Sequence, residues 1–186
     1  MEFLLLTGLR FNEGALLTWK DIDPSRHILT IPAQNSKNHH LLVRPITKGV
    51  QSILDRRALD QTIIDSPYVF PGKVSIGTGS DGREIHTSPI NTTVKLQRTI
   101  KELIDLWITP HDTRRVYASA ALVVGVPGLV VKRLLNHSRG SDDVTQGYQI
   151  VSIDHLRTYS QKIEDHILSK SGAKTEGGLV IDLISR

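Results

Sequence analysis

Apolar residues recur along this chain with two different periods, and each change of period marks an element. Phe3 to Leu6 is a short apolar run that enters a helix with no cap before it and stops at the turn glycine of TGLR. Asn12 is placed to cap a second helix over Glu13 to Trp19, with Glu13 in the first turn, where a carboxylate suits the helix dipole. Leu16, Leu17 and Trp19 give that helix an apolar side, and Asp21 to Pro24 breaks it. HILTIP (27–32) and LLVRPI (41–46) then read as two strands joined by a polar, hairpin-like connection from Gln34 to His40. From Val50 to about Thr62 the helical spacing returns, with Val50, Ile53, Leu54 and Ala58 on one side. SPYVFPG (66–72) is extended or turning. The Gly-, Ser- and Asp-rich stretch from Gly72 to His86 predicts an exposed, mobile loop.

Ser88-Pro89 has the form of a helix start, an N-cap followed by proline at the first helical position. The helix it predicts runs to about Leu106 and buries Ile90, Val94, Ile100, Leu103 and Ile104. Thr113 to Val124, ended by Gly125, and Gly128 to Asn136 are two further helices, and Gly140 to Asp143 is a polar loop. Ser152 to about Ser169 is amphipathic, with Leu156, Tyr159, Ile163 and Ile167 on one stripe. Ser169 to Gly178 reads as a flexible linker, and LVIDLI (179–184) is a short apolar segment that needs cover. The chain shows no internal repeat.

Composition narrows the picture modestly. At 186 residues, 39% of them apolar, the chain has enough material for one domain with a real core and a tail. It has no cysteine, which excludes disulfides and thiolate metal sites and fits a reducing compartment. No run is apolar and long enough to span a bilayer, and MEFLLLTGLR lacks the basic start of a signal peptide. A net charge of +4 and a pI near 9.4 permit a polyanionic partner without demanding one. The basic residues stand in pairs, Arg56-Arg57, Arg114-Arg115 and Lys132-Arg133, and not in one dense tract.

The chemistry concentrates between Thr109 and Tyr148. His111, Arg114, Arg115, His137 and Tyr148 surround two apolar, helix-like segments, and a helix beginning here brings His111 and Arg114, three residues apart, onto one face. Such a scaffold suits phosphoryl transfer through a tyrosine. The phenol, with an ordinary pKa of about 10, must lose its proton. The oxygens of a five-coordinate phosphate need fixed cationic donors, and arginine meets two of them at once without deprotonating. The leaving oxygen needs a proton from a general acid, a task for lysine or histidine.

With TGLRFNEGALLTW, SKNHHLLVRPI, HDTRR, LLNHS and VTQGY in this order, the chain resembles the catalytic domain of the tyrosine recombinases, the phage-integrase family. The likeness covers nearly all of residues 3 to 168. No box decides alone; five in order at compatible spacings do. The resemblance implies an α+β fold, mostly helical, with a small antiparallel sheet carrying Lys37. It makes residues 1–170 the catalytic domain, without the N-terminal core-binding domain of such enzymes, and residues 171–186 a linker and tail able to pack in trans. By the same resemblance Arg10, Arg114 and His137 bind the scissile phosphate, and Lys37 is the general acid toward the leaving 5′-hydroxyl. His111 accepts the tyrosine proton or positions the phosphate, Tyr148 is the nucleophile, and Glu13 orients Arg10 or His111.

Arg115, Lys132 and Arg133 are the candidate DNA contacts. Asn136 departs from the family, which most often has glycine there, and the stretch from His137 to Tyr148 is longer than its commonest form. The implied activity is site-specific cleavage and rejoining of double-stranded DNA through a 3′-phosphotyrosyl intermediate. No metal and no nucleotide is needed, and the implied homotetramer is cytoplasmic, prokaryotic or phage-encoded. Two alternatives stay open: type IB topoisomerase-like relaxation of one duplex, and a relic that only binds DNA. His39-His40 invites a metal reading, but neighbours on a strand point to opposite faces and do not chelate one ion easily.

Overall fold

The computed structural model describes residues 1–61, 65–79, 82–137 and 152–171. Seven α-helices and two small antiparallel sheets follow one another in these residues, so the fold is mostly helical, as expected. Helix α1 (Glu2–Thr7) buries Phe3, Leu4 and Leu6 against α5 (Pro110–Val123), whose Tyr117, Ala120 and Ala121 lie in the core. Strands β1 (Ile22–Asp23), β2 (Ile28–Ile31) and β3 (Leu42–Pro45) form a three-stranded sheet in sequence order, with Leu29 opposite Arg44 and Ile31 opposite Leu42. Helix α7 (Ile153–Lys170) closes this arrangement, packing on β3, α5, α1 and α6 (Gly128–Leu134). Its Leu156, Ile163 and Ile167 are buried, and Tyr159 packs on the rim of the core.

Two features of α1 and α5 set the geometry of everything that follows. Gly8 ends α1 in the left-handed region (φ 65°), and a Cβ there would lie 2.6 Å from Cδ1 of Tyr117. Only glycine therefore meets both the backbone demand and the close approach. Thr109 caps α5: its hydroxyl accepts from the Asp112 amide at 3.2 Å, and the Asp112 carboxylate accepts the Thr109 amide at 2.9 Å and its hydroxyl at 2.6 Å. These bonds hold the Asp112 carboxyl below its ordinary pKa. They also start α5 at Pro110, three residues earlier than the apolar spacing suggests.

Other boundaries differ from the expectation for identifiable reasons. The second helix, α2, is Phe11–Ala15 with Arg10, not Asn12, at its N-cap, because the Glu13 carboxylate reaches back to the Arg10 amide at 2.8 Å. The stretch from Gly72 to His86 is not a loop. It forms most of a hairpin, β4 (Pro71–Gly79) with β5 (Gly82–Pro89), in register from Val74↔Thr87 to Gly79↔Gly82. Pairing with a second strand supplies a ladder that local composition does not record.

The Ser88-Pro89 helix start fails for the same reason. Pro89 pairs with Pro71, the Ile90 amide donates to the Phe70 carbonyl at 3.0 Å, and helix α4 begins only at Val94 and ends at Ile104. Its apolar stripe does not face the core. Leu103 and Ile104 are 71% and 62% exposed, Val94 38%, Ile90 and Ile100 are half-buried, and Gln97 is the buried residue of α4.

The N-terminus of helix α3 (Lys48–Gln61) is capped by a side chain of α7. The Glu164 carboxylate, 1% exposed, accepts from the Gly49 amide at 2.7 Å, the Val50 amide at 3.3 Å, the Thr47 hydroxyl and the Gln161 side chain at 2.8 Å. A buried anion on the positive end of a helix dipole with four donors is well matched. Glu164→Gln keeps the shape but turns an amide NH2 toward donors, at a cost of about 2 kcal/mol. For a chain of this size that lowers Tm by about 4–8 °C, measurable by calorimetry.

Candidate active site

The site is assembled around the C-terminal end of α6. Asn136 stands one residue past the Leu135 cap in the left-handed region (φ 46°). Its amide donates to the Arg133 carbonyl at 3.2 Å, and the His137 amide donates to the Lys132 carbonyl at 3.0 Å. This paired closure is the Schellman arrangement, which fixes the direction in which the chain leaves the helix. It delivers His137 at a set place.

Three carbonyls remain, and each receives a different arginine. Arg44 from β3 donates to Leu134, Arg114 from α5 donates to Leu135, and Arg10 from the N-terminus of α2 donates to Asn136 through both terminal nitrogens at 3.4 Å. Arg44 also donates to the Thr7 carbonyl and, at 3.3 Å, to the Tyr117 hydroxyl; Arg114 also donates to the Gly8 carbonyl at 2.7 Å. The carbonyls left over at the ends of α1 and α6 are thus bridged by guanidinium groups, which a helix C-terminus favours. Arg44 and Arg114 are buried, whereas the Arg10 side chain keeps 25% of its surface.

One carboxylate stands among these cations. Glu13 binds the Arg10 guanidinium at 3.0 Å and, through its other oxygen, the Arg10 amide. Its two oxygens thus hold Arg10 by both the guanidinium and the backbone amide. Among the described residues, three guanidiniums stand against this one carboxylate, which leaves the cluster short of negative charge. Burial, and next the neighbouring Arg10, bring Arg114 down to about 10; Glu13 offsets part of this and Arg44 adds to it. His137 is held below the ordinary imidazole pKa, first by burial and then by Arg114, Arg10 and Lys132, and is neutral at pH 7. The arrangement can take up an oxyanion, which would relieve both groups.

The other sequence candidates are distributed around this centre. Lys37 is exposed in the β2–β3 connection, in a turn closed by the His39 amide on the Ser36 carbonyl at 3.0 Å. That turn is held to the site by its neighbours: Asn136 donates to the Ser36 hydroxyl at 2.7 Å, and Asn38 donates to the Asn136 carbonyl at 2.6 Å. His111 is exposed in the first turn of α5, one turn before Arg114. Arg115, Lys132 and Arg133 are exposed, with Arg115 4.0 Å from Asp112. Tyr148 lies outside the described residues. Sequence reasoning missed Arg44, Ser36 and Asn38. Arg44 carried a signal in the text, a charge at an alternating, otherwise apolar strand position.

Comparison with known proteins adds an independent line. Residues 1–152 match the model of the phage integrase family. The chain is 26% identical over 160 residues to a protein named putative tyrosine recombinase XerC of Pseudomonas aeruginosa, covering 84% of this chain and 36% of that protein. It is 26% identical over 174 residues to prophage integrase IntF of Escherichia coli K12, covering 92% of this chain and 34% of that protein. The chain thus spans about a third of the length of these two relatives. Among solved structures it resembles the integrase from mycobacterium phage Brujita, with a TM-score of 0.55, 20% identity, and coverage of 87% of this chain and 50% of that one. That likeness bears on the fold.

The shortage of negative charge is testable without any substrate. Sulfate at ten times its Kd contributes about 1.4 kcal/mol of stability, or about 3–6 °C in Tm, above a chloride control of equal ionic strength. Arg10→Ala abolishes most of that difference. The same anion raises the pKa of His137, followed by the NMR shifts of its ring with pH. Without anion, the folded state takes up the His137 proton only below the unfolded value of about 6.5. The unfolded chain therefore binds more protons in that window, and stability falls as pH drops from about 6.5 through the lowered folded value.

Proposed function

The chain belongs to the phage integrase family, and from that premise we propose that it cleaves and rejoins double-stranded DNA at specific sites through a tyrosyl–phosphate bond. The observation that carries the proposal is the convergence of Arg10, Arg114 and His137 on the end of α6, with cations in excess of carboxylates. This is what a phosphodiester passing through a five-coordinate state requires, since its extra charge is best met by donors fixed beforehand.

In this mechanism the Tyr148 oxygen attacks the scissile phosphorus and the bond to the 5′-oxygen breaks. The phenolic proton is accepted with the help of His111, and Lys37 supplies a proton to the departing 5′-oxygen. Arg10, Arg114 and neutral His137 hold the non-bridging oxygens, with Glu13 fixing the direction of Arg10. Attack by a 5′-hydroxyl reverses the steps, so the phosphotyrosyl bond conserves the energy for rejoining and no nucleotide or metal enters. Arg115, Lys132 and Arg133 contact the DNA backbone. Residues 1–170 act as the catalytic domain, four copies assemble on two DNA sites, and residues 171–186 pack on a neighbouring copy. The names of the matched relatives, a tyrosine recombinase and a prophage integrase, support this reading.

A nicked suicide duplex tests it. Wild-type protein, without metal, is expected to give a covalent protein–DNA band on a denaturing gel, and Tyr148→Phe none. A band of equal strength from Tyr148→Phe would move the nucleophile elsewhere and undo the assignment. Replacement of Arg10 by alanine should slow formation of the band by about 100- to 1,000-fold, the usual cost of losing one fixed donor to a charged transition state.

A further inference from the structure

We infer that Asn136 is a positioning residue that sets where Lys37 stands relative to the arginines and His137, an inference that rests on the proton-donor role proposed for Lys37. Backbone conformation alone would admit glycine or asparagine at this position. The left-handed site past a helix cap is met best by glycine, which has no Cβ to accommodate, and asparagine is tolerated there at some cost. What asparagine adds is its amide, and the amide has a specific partner. It donates to the hydroxyl of Ser36, which is 3% exposed, at 2.7 Å. Because a hydroxyl both donates and accepts, the tie holds in either orientation of the amide.

The backbone of the same residue carries the rest of the junction. The Asn136 carbonyl accepts from Asn38 at 2.6 Å and from both terminal nitrogens of Arg10. Ser36 and Asn38 flank Lys37, so the lysine sits on a tight turn pinned on each side to one residue. That residue also contacts a phosphate-binding arginine and directly precedes His137. A lysine side chain is a long, flexible stem, and only the placement of its backbone limits where the ammonium can reach. Without the Ser36 tie the turn keeps one anchor and can swing about it. A misplacement of about 1 Å costs on the order of 100-fold in a reaction that depends on alignment.

Asn136→Gly separates this role from folding. Glycine suits the φ of 46° and keeps the carbonyl that serves Arg10 and Asn38, so the variant is expected to melt within a few degrees of wild type. The assay uses a duplex bearing the cleavage position mapped from the wild-type adduct, made with either the natural 5′-oxygen or a 5′-sulfur at the scissile bond. A thiolate departs without a proton, so the sulfur substrate does not need the general acid. On the oxygen substrate Asn136→Gly is expected to cleave about 10- to 100-fold more slowly than wild type. On the sulfur substrate it should come within a few-fold of wild type, as should Lys37→Ala, while Arg10→Ala stays slow on both.

If Lys37→Ala is not rescued by sulfur, the role given to Lys37 fails. If Lys37→Ala is rescued but Asn136→Gly is fast on oxygen, or slow on both substrates, the role given to Asn136 is overturned by itself. Hydrogen exchange reads the tie with no DNA present. The His39 amide should exchange faster in Asn136→Gly while the amides of α7 do not change, and equal exchange at His39 in the two proteins overturns the inference even where no adduct forms.

Discussion

The structure depends on how five successive carbonyls, from Lys132 to Asn136, are satisfied where α6 ends. Two are taken by the chain's own amides as it turns out of the helix, and three by guanidiniums that come from β3, α5 and α2. A buried carbonyl left without a donor costs as much as a lost hydrogen bond, so each of these elements is bound to the others through the same few atoms. Lysine could not do this work. A guanidinium presents five N–H groups in a flat fork, and Arg44 and Arg114 each use theirs to join the end of α1 to the end of α6.

The same construction makes the site reactive toward anions. Groups that hold the fold together are also those whose charges are poorly compensated among the described residues, because carbonyl dipoles and the Glu13 carboxylate stand in for counter-ions. Burial and mutual repulsion show in Arg114, brought down to about 10, and in the lowered His137. A bound phosphate would improve interactions already present. Little rearrangement would then be needed at the moment of reaction, which is how preorganised electrostatics favours a charged transition state.

Much of this could be read in the sequence, but unevenly. Arg10, His111, Arg114 and His137 stand out because TGLRFNEGALLTW, HDTRR and LLNHS resemble the boxes of the family. Strands β2 and β3 and helix α7 follow from their periods, and their boundaries agree with the structure to within a residue or two. The hairpin from Pro71 to Pro89 was hidden because glycine, serine and aspartate dominate its composition, while its stability lies in pairing between strands that no local pattern records. Helix α4 was misplaced by a Ser-Pro start that belongs to the end of a strand. Its apolar period, strong by spacing, does not turn inward. The roles of Arg44, Ser36 and Asn38 rest on contacts 90 to 100 residues away in sequence, where spacing carries no information.

The carboxylate of Glu164 at the start of α3 has a kinetic side. The amide of Gly49 waits for an acceptor 115 residues further along the chain. Until that acceptor arrives, the positively polarised end of α3 lacks this partner, and the helix is held by its apolar face, the Arg56–Glu2 ion pair and the Arg57 bond to the Val69 carbonyl. During synthesis the early helices and the three-stranded sheet would emerge well before α7 and remain provisional. Contacts of this sequence separation slow folding, because a long loop must close before it is rewarded. Assembly of the α6 end, which gathers Arg10, Arg44 and Arg114 from across the chain, would then coincide with the docking of α7, which packs on α6 and β3. The anion-seeking cluster would reach its final form as the fold completes.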